Sequence, residues 1–292
     1  MRLDLALIAR HPELSRRRAR TAIESGQVEV AGQIVSEPGA EVEAAAALAF
    51  FPNRPARRSV RLPLPALHLG ERLLVIDKPA GLLTVPSAPG GHEDTLLGRL
   101  QAWAARARPR HPYVGAVHRL DRDTSGALAV ALDPEARQWL RGLFRAHRIE
   151  RRYLALVRGR PRSESGTIEL PIADEYASGR RRLARPGEAA REARTHYRVL
   201  ESFARAALLE VELHTGRQHQ IRLHLAQLGH PVLGDEVYGG ESAAKAAPRQ
   251  MLHAAWLAFD HPLLGAVRAA SPLPPDFTQV RARFRREASR GR

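Results

Sequence analysis

Residues 118–126 have the sequence HRLDRDTSG, a polar segment that leads directly into an apolar one. The next eight residues, ALAVALDP, are typical of a buried strand that ends at its proline, whereas the preceding HPYVGA is typical of a loop. Asp121 and Asp123 therefore lie in a turn, interleaved with Arg119 and Arg122. Neighbouring guanidinium groups favour the ionised form of a carboxylate, which suits a nucleophile or a general base.

The composition predicts a globular protein with a polyanionic partner. A chain of 292 residues can form one large domain or two modest ones. Its 46 basic and 31 acidic residues give a formal net charge of +15. Such an excess of positive charge favours binding to nucleic acid.

The chain lacks the residues and motifs on which several classes of chemistry depend. The chain has no cysteine, which excludes disulfides, zinc ribbons and thiol nucleophiles. It also lacks the motifs G-x-G-x-x-G and G-x-x-x-x-G-K-[ST] that hold nucleotide phosphates. The longest apolar run, residues 44–51, is too short to cross a membrane, and the first residues do not resemble a signal peptide. We therefore expect a cytoplasmic protein that works without a cofactor and without a membrane partner.

Residues 1–51 are predicted to form a small separate α/β domain. After a first amphipathic helix, Ser15 can cap a second helix that Gly26 ends. Two short strands, QVEV and QIV, then flank a turn at Ala31 and Gly32. The second helix is crowded with arginines that could contact RNA, and a solvated helix face is the alternative interpretation. These arginines are Arg16, Arg17, Arg18 and Arg20.

The rest of the chain divides into a linker and a larger domain. Residues 52–66 contain four prolines and four arginines without a period, which predicts a semi-rigid linker. Residues 67–292 alternate short strands with helices but show no regular βαβ repeat. This pattern predicts an α+β domain with a mixed, mainly antiparallel sheet.

Individual elements of the larger domain can be predicted as well. Residues 72–87 are expected to form a strand, a tight turn and a second strand, and a helix at 94–107 is expected to be capped by Asp94. The remaining predicted elements are helices at 134–148 and 218–229 and strands at 151–159, 193–203 and 206–215.

The segment at 118–126 resembles the signature of the RluA-type pseudouridine synthases, in which the aspartate of H-R-L-D is catalytic. This resemblance implies the catalytic role for Asp121, whereas the turn alone would favour two solvated acidic residues. Residues 1–51 resemble the RNA-binding domain first described in a small-subunit ribosomal protein, which often precedes such enzymes. Ala31 stands where that domain more often has asparagine.

Four further segments match the same family in the same order. DKPAGLLTVPS at 77–87 resembles the lysine-proline-glycine hairpin beside the active site. RRYLALVRG at 151–159 resembles the segment whose tyrosine lies against the catalytic aspartate, which implies that role for Tyr153. TGRQHQIRLH at 215–224 resembles the block whose last arginine pairs with that aspartate, which implies that role for Arg222. LHAAWLAFDHPLLG and SPLPPDF resemble the closing segments of the family.

More arginines are candidates for contact with RNA phosphates. One lies in the H-R-L-D motif, one in the T-G-R block, and three in a loop between strands; solvated charge is the alternative for each. These candidates are Arg119, Arg217, Arg180, Arg181 and Arg182.

A metal site formed by His214, His219 and His224 with the two aspartates is a competing hypothesis. Positions five apart on a helix point about 140° apart, so His219 and His224 would not converge on one ion. Arg222 would also place positive charge where the cation would bind. We therefore expect no metal.

Together these observations predict an RNA pseudouridine synthase, an isomerase that needs no cofactor. The favoured substrate is structured ribosomal RNA, and transfer RNA is the alternative. A non-catalytic RNA-binding or ribosome-assembly factor and a metal-dependent RNA hydrolase are the competing functions. We take a monomer as the default oligomeric state.

Overall fold

We describe the fold from a computed structural model, which describes residues 1–43, 45–54, 60–88, 90–175 and 180–290. The chain divides into two compact units. The first contains Met1–Arg61 together with Trp103–Arg110, and the second contains Leu62–Ala102 and His111–Arg292.

The first unit consists of two helices and a small sheet. Ser15 caps the second helix as predicted, because its hydroxyl accepts a hydrogen bond from the Arg18 N–H. Gly26 follows that helix with a φ of 68°, the left-handed conformation that glycine adopts without strain. The elements are α1 (Leu3–Arg10), α2 (Arg16–Glu24), β1 (Val28–Val30), β2 (Gln33–Ile34) and β3 (Leu48–Phe50).

The sheet of the first unit has the order β2-β1-β3. The turn between β1 and β2 places Ala31 at φ 51° and Gly32 at φ 78°, so both central residues have the positive φ of a type I′ hairpin turn. Strand β3 was not predicted, because its apolar segment shows no alternation. It pairs antiparallel with β1 and completes the sheet.

The second unit contains a large sheet that positions the site. Its strands are β4 (Ala66–Leu69), β5 (Leu73–Lys78), β6 (Gly115–Ala116), β7 (Ser125–Ala131), β8 (Glu150–Arg158), β9 (Ser165–Glu169), β12 (Arg194–Ser202), β13 (Ala206–Leu213), β14 (Leu252–His261) and β15 (Gly265–Ala270). A separate pair is formed by β10 (Ile172–Ala173) and β11 (Ala190–Arg191). The centre of the predicted linker, residues 55–59, lies outside the described residues.

The large sheet has the order β4-β5-β7-β14-β8-β13-β12-β9, with β15 beside β14 and β6 beside β7. Its strands pair antiparallel except β7 and β14, which run parallel. The mixed, mainly antiparallel α+β fold predicted from the sequence is therefore confirmed. Gly126 has a φ of 114° at the β7–β14 contact, where a Cβ atom would overlap the carbonyl group of Ala254.

The helices largely follow the sequence pattern. They are α3 (Leu96–Ala107), α4 (Pro134–Arg145), α5 (Gln220–Gln227), α6 (Gly240–Ala244) and α7 (Pro275–Arg290). Asp133 caps α4 by accepting a hydrogen bond from the Ala136 N–H. Two local predictions were wrong. Thr95, not Asp94, caps α3, because its hydroxyl accepts from the Gly98 N–H while Asp94 pairs with Arg99. The second strand predicted within 72–87 is absent from the described part, where only Leu83 forms an isolated bridge.

One face of the sheet packs against α4 to form a hydrophobic core. Strand β7 is buried along its whole length, as the run of apolar residues predicted. Its alanines pack with Leu140 and Leu143 of α4 and with Leu257 and Phe259 of β14. This core fixes the strand that begins at the end of the segment 118–126. Within the described residues, no helix has the length and hydrophobicity needed to cross a membrane.

Candidate active site

The polar loop 118–124 directly precedes β7 and opens onto a cavity of about 520 Å³. Asp121, Tyr153 and Arg222, the three residues with predicted catalytic roles, all line this cavity. They come from the loop, from β8 and from α5. The fold therefore brings together three residues that are widely separated in the sequence.

Arg222 contacts Asp121 directly. Its Nη1 donates a hydrogen bond of 3.0 Å to the Oδ2 oxygen of Asp121. Only 6% of Arg222 is exposed, so the charge is largely shielded from solvent. The sequence had suggested Arg119 and Arg122 as the neighbouring positive charges. In the described residues the ion pair of Asp121 is instead with Arg222, and the His219 Nε2 lies 3.9 Å from its other carboxylate oxygen.

A second carboxylate, Asp235, holds the other side of Arg222. The Arg222 Nε and Nη2 groups donate to the two Asp235 oxygens at 2.7 and 2.9 Å. Burial acts to raise the pKa of Asp235, but Arg222 and the N–H groups of Val237 and Tyr238 outweigh it, and the net shift is downward. Asp235 is therefore an anion that orients the guanidinium toward Asp121.

His219 lies on the other side of the Asp121 carboxylate. Its Nε2 is 3.9 Å from the Asp121 Oδ1, and its Nδ1 is 3.0 Å from the Tyr238 hydroxyl. Burial is the main reason that the pKa of His219 is lowered, although Asp121 acts in the opposite direction. His219 also has a φ of 59° and directly precedes α5, so a left-handed backbone positions both its ring and the start of the helix.

Lys78 holds the loop that carries Asp121 through hydrogen bonds to backbone carbonyl groups. Its side chain is fully buried, and its Nζ donates to the carbonyl oxygens of Pro79, Leu82 and Arg122 at 2.8, 2.7 and 2.9 Å. Burial lowers the pKa of Lys78 to about 7, while Asp123 and Asp121 act to raise it. Three acceptors match the three donors of an ammonium group, and this geometry favours the charged form. Lys78 thereby ties the 79–82 turn to the loop that carries Asp121.

Thr84 holds the residue next to Asp121. Its buried hydroxyl donates to the Leu120 carbonyl at 2.8 Å and accepts from the Leu120 N–H at 3.2 Å. Arg249 holds the residue two positions further along, because its Nη1 donates to the Asp123 carbonyl at 3.1 Å. The backbone on both sides of Asp121 is therefore fixed by side chains from distant parts of the chain.

His118 fixes the start of the loop. Its Nε2 accepts a hydrogen bond of 2.9 Å from the Ala129 N–H in β7, and its ring stacks on Phe144 with centroids 4.5 Å apart. Burial lowers the pKa of His118 to about 3. The imidazole is therefore neutral at physiological pH, with its proton on Nδ1.

Tyr153 forms part of the cavity wall. It is 7% exposed, and burial raises the pKa of its hydroxyl, so this group stays protonated at neutral pH. An aromatic ring in this position can stack on a base that has left its helix.

The histidines of the competing metal hypothesis lie apart. His224 is engaged with the Thr195 hydroxyl and the Leu170 carbonyl at 2.9 and 3.0 Å. His214 lines a different cavity from His219. In the part of the chain that the structure describes, no group of three histidine or acidic side chains is arranged to hold a metal ion.

Comparison with known proteins identifies the family. The RNA pseudouridylate synthase family model matches residues 72–227, which include Asp121, Tyr153 and Arg222. The chain belongs to this family. The S4 domain model matches residues 1–46, so the chain joins an S4 domain to a pseudouridylate synthase domain.

Relatives of this synthase cover nearly the whole chain. The ribosomal large subunit pseudouridine synthase D of Zymomonas mobilis is 37% identical over 283 residues, which are 90% of this chain and 87% of the relative. The protein of the same name from Pseudomonas aeruginosa is 36% identical and covers 98% of this chain and 92% of the relative. The structure of human RNA pseudouridylate synthase domain containing 4 is 27% identical with a TM-score of 0.64, and the match covers 75% of this chain and 92% of that one.

The arginines predicted to bind RNA have different surroundings in this synthase. The four on α2 are exposed, as is Arg119 at the mouth of the main cavity. Arg217 lines the main cavity and donates to the Glu192 carbonyl at 3.0 Å. Arg180 is exposed, and Arg181 donates to the Asp174 carbonyl at 2.7 Å. Arg182 instead forms ion pairs with Glu175 and Glu188.

Sequence reasoning missed several residues that shape this site. Asp235 was visible in the sequence LGDEVYG that follows the T-G-R block, yet nothing local indicates that an aspartate there is buried. The resemblance placed Lys78 in a hairpin beside the active site, but its burial and its three hydrogen bonds were not predicted. The hydrogen bonds of Thr84, His118 and Tyr238 had no signal in the sequence, because each depends on a partner brought close by folding.

Proposed function

We propose that the chain is a cytoplasmic, monomeric enzyme that isomerises specific uridines in structured RNA to pseudouridine, without a cofactor. Asp121 is the catalytic nucleophile or base, Arg222 holds its charge, and Tyr153 receives the base. Ribosomal RNA is the favoured substrate. We also propose that residues 1–51 form the RNA-binding domain, 52–66 a linker and 67–292 the catalytic domain.

One observation carries this proposal: the 3.0 Å contact between Arg222 and Asp121 inside a cavity that Tyr153 also lines. A carboxylate paired with a shielded guanidinium stays ionised and keeps a fixed orientation. The cavity volume of about 520 Å³ falls within the range of sites that enclose one small ligand, and a single extruded nucleotide is such a ligand.

The reaction is balanced within one nucleotide. The bond between N1 of uracil and the ribose anomeric carbon breaks, the base rotates, and a bond from C5 to the same carbon forms. C5 loses a proton and N1 gains one, so no oxidant, reductant or group donor is consumed. Asp121 can assist by attacking the ribose, by adding to the base or by removing a proton.

A uridine within RNA structure must first leave its stack to reach Asp121. Extrusion of a base costs a few kcal/mol, and contacts between arginine and phosphate can offset that cost. Arg119 and Arg217 line the main cavity and are suited to this role. The remaining candidates would contact other parts of the RNA, Arg182 only through rearrangement of its two ion pairs. They are Arg16, Arg17, Arg18, Arg20, Arg180, Arg181 and Arg182.

The choice of ribosomal RNA is supported by the relatives, two of which are named as synthases of the ribosomal large subunit. The S4 match supports an RNA-binding role for the N-terminal residues. Transfer RNA is the alternative substrate, and the test below includes it.

The test is carbodiimide mapping of pseudouridine on unmodified transcripts of large-subunit ribosomal RNA and transfer RNA, with a chelator present throughout. Wild type should create new modified positions, and Asp121→Asn should create none while binding the same RNA with similar affinity. Asp260→Asn, which changes an exposed carboxylate paired with Arg268, is the matched control and should behave as wild type.

Other outcomes would support other functions. Tight binding by wild type without modification of any transcript would favour an assembly factor. Strand cleavage in a parallel reaction without the chelator, which disappears when the chelator is added, would favour a metal-dependent hydrolase. If Asp121→Asn modifies RNA at the wild-type rate, Asp121 has no role in the mechanism.

A further inference from the structure

A second cavity, of about 340 Å³, adjoins the main one. His147 lines both cavities. Consecutive residues also bridge them, since Thr215 lines the second cavity and Gly216 the main one. A nucleotide linked to one held beside Asp121 would therefore meet the second cavity as it leaves the first.

His147 has an unfavourable backbone conformation at this junction. Helix α4 ends in a Schellman arrangement, in which the Arg148 N–H donates to the Leu143 carbonyl at 3.0 Å and the His147 N–H to the Phe144 carbonyl at 3.3 Å. Glycine is the residue that this position favours, because the φ of 54° is left-handed and costs free energy for other residues.

No hydrogen bond or ion pair of the His147 side chain within the described residues offsets the free-energy cost of this backbone conformation. The side chain is exposed, and the described residues include no hydrogen-bond or ion-pair partner for its imidazole. Strained backbone conformations are concentrated at functional sites in proteins. In this protein, the strained residue places an aromatic ring between two cavities.

The walls of the second cavity suit a base rather than a phosphate. Glu169 is paired with Arg194 at 2.7 Å, whereas the carboxylate of Glu192 has no partner among the described residues. A carboxylate repels phosphate but accepts hydrogen bonds from the exocyclic amino groups of cytosine and adenine. Uracil presents a carbonyl oxygen at the equivalent position and is disfavoured.

A third cavity, on the other side of Gly216, differs from the second cavity in the charge of its lining residues. It measures about 230 Å³ and is lined by three arginines, Arg181, Arg191 and Arg217, and by one carboxylate, Asp174, which pairs with Arg191. The net positive charge of this set suits phosphate. The two side cavities thus differ in charge, and each matches a different part of an RNA strand.

We propose that the second cavity is a specificity subsite for the nucleobase next to the target uridine. His147 stacks on that base, and Glu192 accepts a hydrogen bond from its amino group. This inference rests on the proposed function, because it assumes that the target uridine occupies the main cavity.

The test uses short RNA hairpins that contain a uridine that wild type modifies in the mapping experiment. The nucleotide on each side of that uridine is varied through all four bases, and kcat/KM is measured for each hairpin. At one of the two sides, wild type should prefer cytosine or adenine over uridine by about tenfold. Glu192→Gln should reduce this preference to less than about twofold, because its amide can also donate to a uracil carbonyl.

Two further variants separate recognition from folding. Glu164→Gln changes an exposed carboxylate that lines none of the three cavities, and it should keep the wild-type preference. His147→Gly should lower kcat/KM and reduce the preference while Tm stays level or rises, since glycine relieves the left-handed strain. A purely structural role for His147 predicts the opposite change in Tm.

Equal kcat/KM for all four bases at both positions would overturn the subsite, as would an unchanged preference in Glu192→Gln. A fall in Tm for His147→Gly with an unchanged kcat/KM would overturn the role of His147. The absence of any modification by wild type would refute the proposed function itself, and it is seen before any hairpin is varied.

Discussion

The Nη1 nitrogen of Arg222 lies 3.0 Å from the Oδ2 oxygen of Asp121, although 101 positions separate the two residues in the sequence. The contact has one well-defined geometry because the opposite edge of the guanidinium is held by the buried Asp235. Two carboxylates thus share one arginine, and only Asp121 faces the cavity. In the proposed mechanism Asp121 meets the substrate, whereas Asp235 orients Arg222, the partner of Asp121.

Arg222→Ala should destabilise the protein by about 3–5 kcal/mol, because it leaves the buried charge of Asp235 without its partner. Replacing both residues by apolar ones, as in Arg222→Met with Asp235→Leu, should recover much of that stability but not the turnover. Urea unfolding and single-turnover rates measure the two effects. If Arg222→Ala unfolds at the wild-type urea concentration, the ion pair has no structural role.

Thr84→Val should lower the turnover rate several-fold and leave RNA affinity unchanged. Valine has the shape of threonine but lacks the hydroxyl that holds both backbone groups of Leu120. The lost hydrogen bonds should also cost about 1–3 kcal/mol of stability. Thr167→Val, at an exposed threonine in β9, is the control and should change stability by less than about 0.5 kcal/mol. Similar kinetics for both variants would show that the Leu120 anchor does not position Asp121.

The pH dependence of stability should carry a contribution from His118. Its pKa is lowered to about 3 in the folded state, so between pH 6.5 and 3 the unfolded chain binds a proton that the folded chain does not. The contribution of His118 to the free energy of unfolding is complete above pH 6.5 and decreases as the pH falls. At pH 5 this contribution has decreased by about 2 kcal/mol.

His118→Gln provides the comparison for this prediction. The glutamine oxygen can accept the Ala129 N–H but does not titrate, so the variant should lose about 2 kcal/mol less than wild type between pH 7.5 and 5. Urea unfolding at the two pH values measures the difference. Parallel curves for the two proteins would mean that His118 titrates normally when folded.

Ala31→Asn should stabilise the first unit by about 0.5–1 kcal/mol. Asparagine tolerates the left-handed φ of 51° better than alanine, and Asn-Gly is the favoured pair for a type I′ turn. Hydrogen exchange of the β1 amides reports on this hairpin specifically. Ala47→Asn, at an exposed position without positive φ, is the control; an equal effect of both changes would rule out relief of turn strain.

The sequence predicted local structure well where local pattern determines it. The buried strand that includes residues 127–131, the Ser15 cap and the helix that ends before Gly229 all follow from residue type and spacing. The α3 cap was misplaced by one residue, because Asp94 and Thr95 are both suitable caps and the Arg99 ion pair engages the first.

The partners within the site could not be predicted in the same way. Arg119 and Arg122 are neighbours of Asp121 in the sequence, yet the guanidinium that contacts it comes from α5. Only the resemblance to a family pointed to Arg222. Asp235 and Lys78 act through burial, and burial of a charged residue depends on the packing of the whole domain rather than on its neighbours.

The buried Lys78 has a consequence for the substrate. Lys78, Thr84 and Arg249 donate hydrogen bonds to the backbone carbonyls of Arg122, Leu120 and Asp123, respectively. The backbone on both sides of Asp121 therefore has little freedom to adapt to an incoming RNA strand. The RNA must then undergo most of the conformational change on binding. Spontaneous opening of its base pairs would determine how often the target uridine is accessible. Transcripts whose target helix is weakened by a neighbouring mismatch should therefore be modified faster than perfectly paired ones.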